Sequence, residues 1–236
     1  MSGERLNPRE LIARLVSFPT ISERSNLALI DWAEGYLSAH GARCRRTMNE
    51  EGTKANLFAT IGPEVAGGVV LSGHSDVVPV EGQSWSSDPF VVTERNGRLY
   101  GRGTAYMKSF LAIAMALAPE FAARPLRRPI HIAMSYDEEI GCLGVASMIQ
   151  DIMANLPPPG LVIIGEPTSM RLVTGHKGVN LFRMRVIGRA AHSSQPHRGA
   201  GAILAAGRLI DYLWRLGEEQ RQQRDPRFEP PWTTVQ

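Results

Sequence analysis

Three short apolar runs constrain this chain most: GVVLSG (68–73), PIHIAMS (129–135) and LVIIG (161–165). Each is far shorter than the roughly 18 apolar residues of a membrane span. Each also lacks the polar alternation of a strand with one wet face. Such runs are expected of strands buried on both faces, as in parallel sheets covered by helices. The chain between and around them agrees. Residues 104–118 predict an apolar helix, residues near 143–155 a second, and PPP (157–159) a stiff connector. Upstream, Asn7-Pro8-x-Glu10 has the spacing of an N-cap, a proline at the first helical position and a capping-box glutamate. A further helix is expected from about Leu27 to His40, stopped by Gly41. ANLFATIG (55–62) reads as a strand, and FVVTERNGRLY (90–100) as a hairpin turning at Asn96-Gly97.

The character changes after Thr174. VNLFRMRVIG (179–188) alternates in part and predicts a half-solvated antiparallel strand. Residues 199–216 predict a helix with Ile203, Leu204, Ile210, Leu213 and Leu216 facing inward, and PWTTVQ reads as the start of a strand. The expectation is an α/β domain with a mostly parallel sheet over residues 1–175. The start of a smaller α+β domain follows over 176–236, and both are incomplete. Charge does not single out a polyanionic partner, because 26 basic and 23 acidic residues are interspersed. Nucleic acid and membrane are therefore not expected as partners. Cys44 and Cys142 have no paired spacing, which fits a reducing compartment, and the N-terminus lacks a signal-peptide apolar core. The expected location is cytoplasmic.

Each of the three apolar runs ends in metal-competent residues: His74-Ser-Asp76, Asp137-Glu138-Glu139, and Glu166. In open parallel α/β sheets, sites form at the carboxyl ends of strands. Taken singly, the histidine reads as a hydrogen-bonded structural residue and the acidic triplet as a helix N-terminus. Together they would concentrate like charges, which is costly unless a cation or protons balance them. Nitrogen with carboxylates suits Zn²⁺, Co²⁺ or Mn²⁺. Asp76 stands two residues from His74, where it can accept the imidazole's second N–H.

SGHSDVVP, GRGTAYMK, DEEIG, IGEPTS, TGHKG and AAHSSQPH occur in one order along the chain. In this the sequence resembles the zinc-dependent aminoacylase/deacetylase metallopeptidases, a family that includes succinyl-diaminopimelate desuccinylase, aminoacylase and carboxypeptidases. The resemblance runs from about Pro8 to the end. It implies a catalytic α/β domain with an inserted dimerisation or lid domain, two zinc ions (or cobalt), and hydrolysis of the amide bond of a small N-acyl amino acid. It implies a homodimer formed through the lid. By resemblance His74, Glu139 and Glu166 are metal ligands, Asp76 orients His74, Glu138 is the general base, and His192 stabilises the oxyanion. The family's loop reads GRGTxDMK with an aspartate bridging both metals, whereas this sequence has Tyr106 there. The family's chain also continues past the point matching Gln236 and supplies a final histidine ligand. The resulting expectation is one weak metal site, severely impaired catalysis, and an uncovered apolar face on the helix at 199–216.

Overall fold

The computed structural model describes residues 3–236. The chain divides into two compact units, one running to Met170 and the other from Arg171 to Gln236.

The first unit is built on a five-stranded sheet. Its strands are β1 (Arg43–Met48), β2 (Ala55–Ile61), β3 (Val69–His74), β6 (Ile130–Ser135) and β7 (Leu161–Ile164), in the order β1-β2-β6-β3-β7. Only β2 runs against the others. Between β3 and β6 the chain forms the small hairpin β4 (Thr93–Arg95) and β5 (Arg98–Tyr100). Its turn residues Asn96 and Gly97 both take positive φ, as a two-residue hairpin turn requires. Helices α1 (Pro8–Val16), α2 (Leu27–Ala39) and α3 (Lys108–Ala122) share one hydrophobic core with Leu57, Ala59, Ile61, Ile132 and Met134. The alternate residues Phe58 and Ala133 pack on the opposite face with Met148 of α4 (Val145–Asn155). The period-two alternation of a strand thus divides one sheet between two helical layers.

Local chemistry sets the helix ends. The Asn7 side chain accepts the Glu10 N–H at 3.1 Å, and the Glu10 carboxylate accepts the Asn7 N–H at 2.8 Å. At the end of α2, Gly41 has φ +87°; its N–H donates to Ser38 O and the Ala42 N–H to Leu37 O, closing a Schellman motif. The third helix begins at Lys108 rather than at 104. The Thr104 hydroxyl bonds Gly101 O, and the Ser109 hydroxyl takes Thr104 O. These side chains satisfy the backbone in a separate turn and so compete with helix.

This unit also contains one strand the sequence does not predict, and one expectation that needs correction. The segment RCRRTM carries no apolar signal, yet it forms β1 at one sheet edge. Its arginines are tied to both layers, Arg45 to Asp151 of α4 and Arg46 to Asp31 and Glu34 of α2. LVIIG forms β7, but not as a buried strand: Leu161 to Ile164 are 43–66% exposed. It lies at the other edge with β3 as its one strand neighbour.

In the second unit, residues 179–188 form no ladder, and Val179, Leu181, Phe182 and Ile187 are exposed. Among the described residues no strand pairs with this segment. A single bridge joins Arg189 to Ala200, and one 3₁₀ turn spans Pro196–Arg198. Helix α5 (Ala202–Gln220) follows, but Ile203, Leu204 and Ile210 point outward, while Leu213 and Leu216 are half-buried. Residues 231–236 form no strand; the Lys177 ammonium instead holds Pro230 O and Trp232 O at 3.0 and 3.1 Å. Among the described residues, no helix is long and apolar enough to cross a membrane.

Lys108 is fully buried and donates to Leu15 O at 3.0 Å and Phe18 O at 2.7 Å, fastening α3 to the end of α1. Burial, only partly offset by the Asp76 charge, brings its pKa down to about 7. The unfolded chain keeps that proton to about pH 10.4. Between these values the unfolded state binds more protons, so stability rises with pH by up to about 1.4 kcal/mol per unit. In Lys108→Met this slope is expected to vanish. Urea denaturation of both proteins at pH 7, 8 and 9 checks it; parallel pH dependences would show that Lys108 stays charged in the fold.

Candidate metal centre

The parallel pairing delivers the site. Register β3–β6 sets His74 beside Ser135, and register β3–β7 sets Ser72 beside Ile164. The Gly165 N–H continues that second ladder to Ser72 O at 3.0 Å, so Glu166 emerges level with His74. The acidic turn after β6 emerges on the other side.

His74 is 1% exposed. Its Nδ1 lies 2.9 Å from the backbone carbonyl of Asp76 and 3.3 Å from Asp76 Oδ1. Both partners are acceptors, so Nδ1 carries a proton. The other ring nitrogen, Nε2, is buried without a hydrogen-bond partner. It faces Glu138 Oε2 at 3.7 Å and Glu166 Oε1 at 3.8 Å, beyond hydrogen-bond reach. One ligand atom from each of His74, Glu138 and Glu166 lies within 4.8 Å of the others. A nitrogen with two half-exposed carboxylates fits a divalent cation of the zinc type. The orphaned Nε2 is the atom such an ion would satisfy.

The carboxylate of Asp76 organises this arrangement. Besides His74 it accepts the Ser22 hydroxyl at 2.7 Å, the Glu138 N–H at 3.1 Å and the Glu139 N–H at 3.3 Å. Burial alone would raise its pKa, but the bonds from His74 and Ser22 hold it below the usual aspartate value. For His74 burial disfavours charge, yet the hydrogen bond and charge of Asp76, with Glu138 and Glu166 behind them, raise its pKa. Desolvation raises Glu166, with Glu138 adding repulsion against the pull of His74. Desolvation likewise raises Glu139 against the pull of His74, with repulsion from Glu138, Asp76 and Glu166. Crowded carboxylates held toward the neutral form are the electrostatic signature of a place that lacks positive charge.

The expected site residues are therefore distributed as follows. His74, Glu138 and Glu166 come together; Glu139 approaches Asp76 through its backbone but is not in the group. Tyr106 is 57% exposed in the loop before α3. His192, in the second unit, is exposed; its Nδ1 accepts from the Ser194 hydroxyl at 2.8 Å and the Ser194 N–H at 3.3 Å, which leaves Nε2–H as a donor. Two contacts carried no sequence signal. Ser22 reaches Asp76 from a loop 54 residues away in sequence, and the exposed Cys142 thiol lies 3.7 Å from Glu138 Oε1.

Fold and group together define an α/β protein with a histidine–carboxylate centre at the carboxyl end of its sheet. The chain belongs to peptidase family M20/M25/M40, whose profile matches residues 70–234. It is 35% identical over 235 residues to an acetylornithine deacetylase of Pasteurella multocida, covering 96% of this chain and 60% of that protein. It is 36% identical over 233 residues to an acetylornithine deacetylase of Myxococcus xanthus, again covering 96% of this chain and 60% of that protein. The chain thus spans about 60% of the length of these relatives. Among solved structures, a family metallo-carboxypeptidase of Sulfolobus solfataricus superposes with TM-score 0.59 at 19% identity, over 68% of this chain and 37% of that one. A tripeptidase of Staphylococcus aureus gives TM-score 0.59 at 19% identity, over 88% and 57%. These two likenesses bear on the fold.

Asp76→Asn keeps the side chain's shape but removes the charge that balances four donors. It is expected to weaken zinc binding about 10–100-fold in calorimetric titration, with cooperative unfolding retained. Unchanged affinity would remove Asp76 from the account of the centre.

Proposed function

We propose that this chain carries the metal-binding part of an amide hydrolase acting on N-acetyl-L-ornithine, yielding ornithine and acetate, a step of arginine biosynthesis. The observation that carries the reading is the orphaned, buried Nε2 of His74 facing Glu138 and Glu166. The kinship with proteins named acetylornithine deacetylase supplies the substrate class. Residues to about 175 are assigned to the catalytic domain and residues 176–236 to a dimerising lid.

In this reading His74 and Glu166 would ligate a zinc ion with the Glu138 carboxylate beside it, and Glu139 would be a ligand of the second ion that the resemblance implies. Asp76 keeps Nδ1 protonated, so that Nε2 presents its lone pair. A bound zinc or cobalt ion supplies a Lewis acid that polarises the acyl carbonyl and acidifies water. Glu138 takes a proton from the attacking water and returns it to the leaving amine, so that the amide and water become acetate and ornithine. The Nε2–H of His192 is the donor that meets the carbonyl oxygen as negative charge grows on it. A lid that brings His192 to a partner's centre makes the homodimer the working form.

Tyr106 limits this chemistry. A phenol has one oxygen and an ordinary pKa near 10, so it does not reproduce the two-oxygen bridge of an aspartate. We infer one zinc ion per chain and slow turnover. Purified with zinc, the chain is expected to retain about one ion per molecule, and Tyr106→Asp to raise this toward two. Elemental analysis of both proteins reads the difference. Two ions in the unaltered chain would overturn the role given to Tyr106. With N-acetylornithine as substrate, Glu138→Gln is expected to lose at least about 100-fold in kcat; an unchanged kcat would overturn Glu138 as the base.

A further inference from the structure

We propose that Lys54, which lies outside the carboxylate group, positions Glu138 through a buried ion pair with Asp137 and thereby sets the centre's affinity for a divalent cation. The inference rests on the reading of His74, Glu138 and Glu166 as a cation site.

The backbone shows why the turn after β6 needs an external hold. Asp137 has φ +54°, a conformation uncommon for a residue with a side chain. That conformation is what points the next two N–H groups, of Glu138 and Glu139, at the Asp76 carboxylate. It also brings the Glu138 side chain to His74. Some interaction must over-determine it.

The Asp137 side chain supplies one. It is 10% exposed, with one oxygen on the Lys54 ammonium and the other accepting the Glu23 N–H at 3.2 Å. Lys54 is equally buried and is anchored at its root, because its N–H donates to Asn49 Oδ1 at 2.8 Å and its carbonyl accepts the Asn49 N–H at 3.0 Å. Sheet pairing supplies the rest. Register β2–β6 pairs Leu57 with Met134, and continuing it past the end of the ladder sets Lys54 opposite Asp137. The pair thus lies across the ends of the two strands, three residues past the last ladder pair, with its ammonium 6.0 Å from the Tyr136 ring centroid. The same loop that gives Asp137 its Glu23 N–H gives Asp76 its Ser22 hydroxyl. Asp137 and Asp76 are consequently clamped from one segment, and Glu138 follows the first in the chain and donates its N–H to the second. Removing one partner of a buried ion pair leaves the other uncompensated. Loss of Lys54 would free Asp137 to swing toward water and release Glu138 from His74.

The test measures zinc affinity by competition with a chromophoric chelator, at a temperature where each variant is fully folded by circular dichroism. A merely structural lysine would lower the melting temperature and leave this affinity alone. Lys54→Met is expected to weaken zinc binding about 10–100-fold, the range found when groups behind a ligand are removed. Lys54→Arg, which keeps the charge, is expected to stay within about threefold of the unaltered chain. Asp137→Asn keeps the shape and is expected to weaken binding at least about threefold; it decides the matter if Lys54→Met does not fold. Unaltered affinity in folded Lys54→Met, or in Asp137→Asn, would overturn the inference. His74→Ala separates the two levels. If the starting chain binds zinc no better than His74→Ala, the cation site itself fails and this inference with it. If His74 matters and Lys54 and Asp137 do not, only the positioning role fails.

Discussion

The Asp76 carboxylate is the constraint on which the rest of the centre depends. It is a buried anion with donors from three parts of the chain: its own strand end at His74, the loop at Ser22, and the turn at Glu138 and Glu139. A buried carboxylate so satisfied keeps its charge, and that charge fixes the proton of His74 on Nδ1. The free lone pair of Nε2 and the hold on the Glu138 backbone follow from this one placement. The sheet contributes the distances, because parallel neighbours in register end at one level and their next residues meet.

The acidic turn is held by a second interaction of the same kind. Asp137 precedes Glu138 in the turn and Asp76 accepts the Glu138 N–H; the first is bound to Lys54 and Glu23, the second also to Ser22 and His74. Carboxylates that would repel one another are separated in role. Two are consumed by donors of the fold, and those of Glu138 and Glu166 are left half-exposed for an ion. Binding a cation would then relieve repulsion that the fold maintains, which is how a site can be both preformed and selective for charge.

Much of this was legible in the sequence, for identifiable reasons. The apolar runs at 68–73 and 129–135 announced strands lying between helical layers, and the structure brings polar residues from the ends of all three runs together. The Asn7 capping box, the Gly41 stop and the Asn96-Gly97 turn are local signals, and they are observed as expected. What failed depended on partners. The strand of residues 43–48 escaped because its order comes from pairing with β2 and from arginines tied to acids on two helices. The apolar run of β7 predicts a buried strand, whereas β7 lies at an edge. Residues 179–188 have the alternation of a strand, but no strand among the described residues pairs with them. The helix expected from 104 was delayed by the Thr104 and Ser109 hydroxyls, which outcompeted the backbone locally. Within the site, the strand-end residues could be read in advance, but the choice of Glu138 over Glu139 beside His74 depends on the left-handed turn at Asp137. The hold of Ser22 on Asp76 depends on tertiary contact, which periodicity does not carry.

The central claim is that His74, with carboxylates, presents Nε2 to a divalent cation. X-ray absorption at the zinc edge on the zinc-loaded chain tests it most directly. The account predicts a first shell of nitrogen and oxygen alone at about 2.0–2.2 Å, with the imidazole contribution lost in His74→Ala. A sulfur scatterer near 2.3 Å would assign the ion to a cysteine thiolate instead. An imidazole signal that survives His74→Ala would place it at another histidine. Either result would contradict the account.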